Sequence, residues 1–176
     1  MTITEFVSEV SAKMGFARSN KFSVEIPRAQ NSNTMSADGI NIMCESVSLP
    51  GTQILTTDYS SVRHSSKYPT GTMYEDVELT FALTSDYYAR KFFDEWIASV
   101  ITTTNDNYTL NYRSDFSRDV TINQLDENDK KIYSHKLRDA YPITIQNINL
   151  SNMNEDEISR FSVTLTYDKY EITNHK

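Results

Sequence analysis

Phe16-Ala17-Arg18-Ser19-Asn20-Lys21-Phe22-Ser23-Val24-Glu25-Ile26-Pro27, followed after a polar stretch by Cys44-Glu45-Ser46-Val47-Ser48-Leu49-Pro50-Gly51, is the part of the sequence that decides the fold. In the first block Phe22, Val24 and Ile26 alternate with Ser23 and Glu25, the period-2 pattern of a strand with one buried face. The second block is another short extended run, stopped by a Pro-Gly turn signal. Neither holds a usable catalytic group.

Working outward, the same alternation recurs. Val77, Leu79, Phe81 and Leu83 alternate with Glu78, Thr80 and Ala82, which predicts a strand. Strands are also expected over Tyr108–Tyr112, Asp119–Leu125, Lys131–Leu137, Tyr141–Leu150 and Ile158–Ile172, and the second block extends to Ile40–Leu49. Asp126-Glu127-Asn128-Asp129 is read as a turn. With four Gly in the chain, such turns lean on Asn and Asp, whose side chains hydrogen-bond the local backbone. The last run is a problem of length. Fifteen residues at about 3.3 Å span roughly 50 Å. A domain of this size has a radius of gyration of about 16 Å. Either the run breaks, or its strand continues into a sheet shared between subunits, which would also remove an exposed edge.

Two helices interrupt the strands. Residues 2–14 place Ile3, Phe6, Val7, Val10 and Met14 at helical spacing, with Thr2 and Glu5 as a capping box. A helix this short is marginal alone and needs a surface to dock on. The main helix is expected from Tyr87 to Ile101, capped by Ser85-Asp86. Ala89, Phe92, Phe93, Trp96 and Val100 form its apolar stripe, read as core packing, and Arg90/Asp94 and Lys91/Glu95 pair at i,i+4. Residues 29–38 read as a loop. Residues 52–74 are the least patterned part of the chain, yet hold Tyr59, Val62, Tyr68 and Tyr74. That composition suits a flap packed on a partner better than a solvated loop.

The 176 residues suit one domain, residues 1–176. Eleven Tyr and eight Phe against four Gly and four Pro argue against disorder and for strands. The net charge of −7, with a pI near 4.9, repels phosphate backbones and argues against an ordinary nucleic-acid binder. It would suit a protein that lets DNA slide past. One cysteine allows no internal disulfide. No apolar run approaches about 18 residues, so no membrane anchor is expected. The N-terminus lacks a signal-peptide core. These features together suggest a protein made and used in a cytoplasm.

Chemistry is sparse. His64, His135 and His175 form no metal-ligand spacing, and no HExxH, CxxC, GxGxxG or P-loop occurs. Cys44 reads as a structural thiol. The acidic run at Asp126 lacks the Gly and the final Glu of a calcium loop, and Asn154-Glu155-Asp156-Glu157 reads as a turn. No cofactor, no metal and no catalysis are expected.

The two opening blocks closely resemble the start of tail tube proteins of contractile-tailed phages, an "Ala-Arg-x-Asn-x-Phe-x-Val-x-Ile" strand before a "Cys-x-x-x-x-Leu-Pro-Gly" strand and turn. Phe92-Phe93-Asp94-Glu95-Trp96 resembles the family's helix. Ile132-Tyr133 to Leu137 with Ala140-Tyr141-Pro142, and Phe161-Ser162-Val163-Thr164-Leu165-Thr166-Tyr167-Asp168, resemble its later strands. The order covers about Phe16 to Tyr170. The resemblance implies a mainly β sandwich or barrel-like fold with one flanking helix, akin to type VI secretion tube proteins. It implies hexameric rings whose inner strands close one barrel, stacked into a tube for DNA or effectors.

It further implies contacts between subunits and rings from the N-terminal segment (Phe6, Val10), the turn Leu49-Pro50-Gly51 and the flap (Tyr59, Val62, Tyr68, Pro69). Glu78 and Thr80 would face the lumen. Partners would be a sheath protein, a baseplate tube initiator and a terminator, with DNA passing unbound. The setting would be a virion tail assembled in the host bacterial cytoplasm. Ser19, where the family often has Pro, and the long loop from Ala29 to Gly39 depart from the pattern. They leave open a baseplate-proximal initiator ring, and a phage or a phage-derived device. Outside this family, the aromatic content would fit a small-molecule-binding β-barrel.

Overall fold

Two extended runs of fifteen residues set the architecture, since neither can stay straight in so small a body. A computed structural model describes residues 2–12, 16–27, 37–60, 65–104, 107–148, 150 and 158–175. In chain order the elements are α1 (Ile3–Ala12), β1 (Phe22–Glu25), α2 (Ala37–Ile42), β2 (Cys44–Val47), β3 (Thr52–Ser60), β4 (Ser65–Tyr74) and β5 (Val77–Ala82). Then come α3 (Tyr88–Val100), β6 (Ile101–Thr104), β7 (Asn107–Leu110), α4 (Arg113–Phe116), β8 (Arg118–Leu125), β9 (Lys131–Ile145), β10 (Arg160–Thr166) and β11 (Lys169–Asn174). Expectations for Met14, Val62, His64, Asn154–Glu157 and most of the 29–38 loop lie outside the described residues.

The main sheet is antiparallel, ordered β1-β8-β9-β10-β5-β2, with β11 also beside β9. Strand β9 belongs to two layers. Its first half pairs with β8 and β11, and its second half, from Tyr141, pairs with β10. The switch falls at Asp139, held at φ 52°. Asp and Asn tolerate this left-handed geometry better than most residues. The Asp139 carboxylate accepts from the Ser117 hydroxyl at 3.1 Å, and its amide donates to Asp119 at 3.3 Å.

The second long run does break. β10 ends at Thr166 and pairs with β5 and the second half of β9, whereas β11 resumes at Lys169 beside the first half. The Asp168 amide donates to the Arg138 carbonyl at 3.1 Å, so both corners sit at one level. Thus two strands expected as separate (131–137 and 141–150) form one bent strand, and of the two outcomes open for the run 158–172 it takes the break. The result is a sandwich-like β fold of a first layer (β1, β8, β9, β11) and a second layer (β9, β10, β5, β2). Among the described residues the ladder does not close into a barrel, because β1 and β2 are not paired.

The predicted inward faces are the core. Val24, Val77, Leu79, Phe81, Phe161, Val163 and Leu165 are buried, together with Ala89, Phe92, Phe93 and Trp96 of α3. Phe93 lies 5.0 Å from Phe81 and 6.2 Å from Phe161 between ring centroids. Each such side chain contributes about 1.5–3 kcal/mol by leaving water. The Trp96 indole N–H donates to the Phe116 carbonyl at 2.7 Å, so α4 satisfies the one polar atom of the stripe. Helix α3 starts one residue later than expected, after Tyr87 at φ 56°. Asp86 still accepts from the Tyr88 amide at 3.3 Å, and Arg90–Asp94 pair at 3.1 Å.

Three local expectations change. Ile40 to Ile42 are helical, and the second strand starts only at Cys44. Buried Ile40 and exposed Ile42 mimic strand alternation over too few residues to separate the two periods. The strand from Asn107 pairs with β6, made from residues that follow α3 directly. Residues 52–74, read as an unpatterned flap, form the hairpin β3–β4. All its described side chains are exposed, so no buried face was there to leave a period in the sequence. The turn after β8 is as expected: the Asp126 carboxylate accepts from the amides of Asn128 and Lys130 at 2.7 and 2.8 Å.

Candidate assembly interface

Among the described residues no three His, Cys, Asp or Glu side chains group as a metal site. Burial pushes the Cys44 thiol up to about 12, and it donates to the Ser46 carbonyl at 3.4 Å, so it is not poised as a thiolate. His135 is packed between Tyr133 and Tyr170, and burial lowers its pKa. An open groove of about 240 Å³ lies between β2 and the β1–β8 edge, walled by Phe22, Val47, Leu49 and Ile122. It marks the unclosed seam of the sandwich, not an internal ligand cavity.

What the fold leaves unsatisfied is backbone and apolar surface. Among the described residues the second layer has two free edges. β2 ends the sheet order, and among the described residues Tyr141–Ile145 of β9 pair with β10 on one side only, since β8, on the other side, ends its pairing at Ala140. Free edges invite strand addition. Between them lies an uncovered polar face. Glu78 is exposed and accepts from the Gln146 amide at 3.0 Å, and Thr80 is half-buried with its hydroxyl 3.1 Å from that of Ser162. Thr164 and Thr144 continue the row beside Glu78. Both predicted lumen residues therefore occupy one face, opposite Val77, Leu79 and Phe81.

The hairpin β3–β4 projects from a tyrosine-rich root. Tyr74 packs on Tyr167 and Tyr170 at 6.0 and 5.4 Å, and the Thr52 and Tyr170 hydroxyls are 2.6 Å apart. The Tyr167 hydroxyl donates to the Glu75 carbonyl at 2.8 Å. The Glu75 amide in turn donates to Gly51 at 3.2 Å. A Cβ at Gly51 would meet the end of the Glu75 side chain, which would have to swing aside. Farther out, Leu55, Tyr59, Tyr68 and Met73 share one hairpin face by register. Tyr59 and Tyr68 are 64% and 58% exposed and meet edge to face at 6.0 Å. Pro69 is exposed beside them.

Helix α1 likewise buries none of its side chains. Its capping box forms as read: the Thr2 amide donates to Glu5 at 2.8 Å and the Glu5 amide to the Thr2 hydroxyl at 3.3 Å. None of its residues is buried, Ile3, Phe6 and Val7 are exposed, and Val10 is half-buried. Phe6 meets Phe16 at 6.2 Å. Leu49 is exposed as well. Sequence reasoning missed one patch, the β6–β7 hairpin with exposed Tyr108, Leu110 and neighbouring Tyr112. Their every-second-residue spacing predicted the strand but not that its apolar face stays uncovered.

The sequence profile of the phage tail tube protein family matches residues 17–173. The chain belongs to the phage tail tube protein family. Among curated proteins none matches this tail tube protein in sequence. Solved structures match its fold. A chain from the sheath-tube complex of the extracellular contractile injection system PVC has TM-score 0.64 and 15% identity, covering 99% of each chain. A chain of the anti-feeding prophage baseplate has TM-score 0.66 and 12% identity, covering 90% of this chain and 95% of its own. One from the anti-feeding prophage tube-terminating cap has TM-score 0.63 and 16% identity, covering 90% and 91%. At these identities the likeness concerns the fold. Family membership makes the tail tube protein a structural component of a tail.

Proposed function

We propose that six copies of this tail tube protein close into a ring, that rings stack into the inner tube of a contractile injection system, and that DNA passes through unbound. The observation that carries this reading is the second layer, a sheet with two free edges and an uncovered polar face. Pairing β2 of one copy with Tyr141–Ile145 of the next would satisfy both edges and wrap the polar face around a bore. Glu78 and Thr80 would then line it.

The remaining uncovered surface supports stacking. A two-stranded hairpin is marginally stable alone, so β3–β4 gains by laying Tyr59, Tyr68 and Pro69, with Val62, on a neighbouring copy. Phe6 and Val10 of α1 and the Leu49-Pro50-Gly51 turn would join the same contacts. Sheath, tube initiator and terminator proteins would be the partners, in a virion tail assembled in the host bacterial cytoplasm. A second reading, a baseplate-proximal initiator ring, is favoured by the equal fold likeness to a baseplate chain and a sheath-tube chain.

Negative-stain microscopy with light scattering tests both. Hollow tubes or stacked six-fold rings are expected of a shaft subunit. Single rings that elongate only on adding a second tube protein would establish the initiator. A monomer that fails to polymerise even on baseplates would overturn the assembly reading.

A further inference from the structure

Arg118 opens β8 and is the register partner of Ala140, the last residue of β9 before the free edge Tyr141–Ile145. Its guanidinium lies over the buried Trp96 ring, 4.4 Å from the centroid, and 5.9 Å from that of Phe92. The side chain is half-buried, its Nη1 is shut off from solvent, and that nitrogen has no hydrogen-bond partner. Among the described residues no carboxylate pairs with it. Burial lowers its pKa to about 10, with no acid beside it to hold the charge. Stacking on an aromatic ring offsets part of the cost of taking a cation out of water. The planar fork still lacks the partner it matches, a carboxylate held by two parallel hydrogen bonds.

Strand direction says what arrives there. β10 is antiparallel to β9 and to β5, and β2 is antiparallel to β5, so β9 and β5 run one way and β10 and β2 the other. Copies related by rotation keep these directions. In the ring reading, β2 of one copy therefore meets Tyr141–Ile145 of the next antiparallel. Its Val47 end lies toward Tyr141, and Ser48 to Gly51 run on toward Ala140 and Arg118. Glu75 travels with that turn. Its amide donates to the Gly51 carbonyl at 3.2 Å, and its carboxylate lies against Gly51. Glu75 is exposed, and among the described residues its carboxylate has no ion-pair or hydrogen-bond partner.

We propose that Arg118 is a carboxylate receptor at the seam between copies, filled by Glu75 of the neighbouring copy. The inference rests on the ring reading and adds the charge pair that sets which edge meets which.

The test first brings the full-length wild type to rings or tubes, seen by microscopy, and measures the lowest concentration at which they sediment. Arg118→Gln and Glu75→Gln should each raise that concentration about tenfold or more. The double Gln variant should be no worse than either single one, as expected when both act through one contact. Arg118→Glu and Glu75→Arg each put like charges at every seam and should not assemble alone. Mixed in equal amounts they should assemble, because alternating copies restore an opposite-charge pair at every seam of an even-numbered ring. A merely structural arginine would give no such rescue. With both variants folded by circular dichroism, assembly of either alone or failure of the mixture overturns the proposal. If Arg118→Glu does not fold, the Gln variants decide, and penalties that multiply in the double variant, or an inert Glu75→Gln, overturn it equally. A wild type that forms neither rings nor tubes would instead refute the assembly reading beneath it.

Discussion

The outward faces of the two layers are built on the same strand alternation and carry opposite chemistry. On the first layer Lys131 pairs with Glu25 at 2.6 Å, Asp119 holds Arg138 and lies 3.1 Å from Lys136, and Arg138 reaches Glu171 at 2.7 Å. On the second, Thr80, Ser162, Thr164 and Thr144 form a row of hydroxyls beside one ion pair and one lone acid, Glu78. The first face is a charge ladder and the second, among the described residues, a mostly uncharged polar wall. Half-exposed ion pairs contribute about 0–1 kcal/mol each, so the ladder adds little to stability. Its consequence is spatial. Among the described residues the ion pairs of the strands gather on the outward face of the first layer.

Both faces stand on the same core, and Phe81→Ala should remove them together. Its buried ring packs on Phe93 and Phe161, so the loss should be about 3–5 kcal/mol. Urea melts followed by tryptophan fluorescence and by circular dichroism would check this, and coincident midpoints are expected. Two separated transitions would mean that the layers fold independently. The corner that divides the faces is a smaller lever. Asp139→Val at φ 52° should cost about 1–3 kcal/mol, whereas Asp139→Gly should stay near wild type, having lost hydrogen bonds but relieved the backbone.

Acid should strip the first layer before the second. Burial lowers the His135 pKa below 6.5. The unfolded chain therefore takes up a proton first, and stability falls as pH drops below 6.5, levelling off below the folded value. Asp119 and Glu171 run the same way, at lower pH. Burial opposes the shift at Asp119, but Arg138 and Lys136 hold it below 3.8. The hydrogen bond from Arg138 holds Glu171 below 4.5. Their contribution is present above those ordinary values and is lost as pH falls through the folded ones. Thermal melts from pH 8 to pH 3 (about two steps expected) would test this, with His135→Phe removing the first step only.

The smallest contrast is between single positions on the two faces. Arg138→Gln should lower stability slightly, an effect that is lost in high salt. Thr80→Val should change stability by less than about 0.5 kcal/mol at any salt concentration. Equal salt sensitivity in the two variants would erase the distinction between the faces.

Much of this was legible in the sequence because it depends on neighbours two to four residues away. The inward sets at Phe22–Ile26, Val77–Phe81 and Phe161–Tyr167, the stripe of α3, the Thr2–Glu5 box and the Asp126 turn all follow from local periodicity or local hydrogen bonding. The tail tube resemblance could be read there too, since its motifs are those same strand faces. Tertiary structure alone decided the rest. Nothing local says that β9 bends at Asp139 while the run at Tyr167-Asp168 breaks, because both depend on which layer offers a partner. The hairpin at 52–74 carried no period, since none of its described side chains is buried. Glu45 and Arg160 stand 115 residues apart, and their meeting is set by strand order and by one bulge. The spacing of apolar residues determines which side of a strand turns inward. Only the folded sheet determines what meets on the side that turns out.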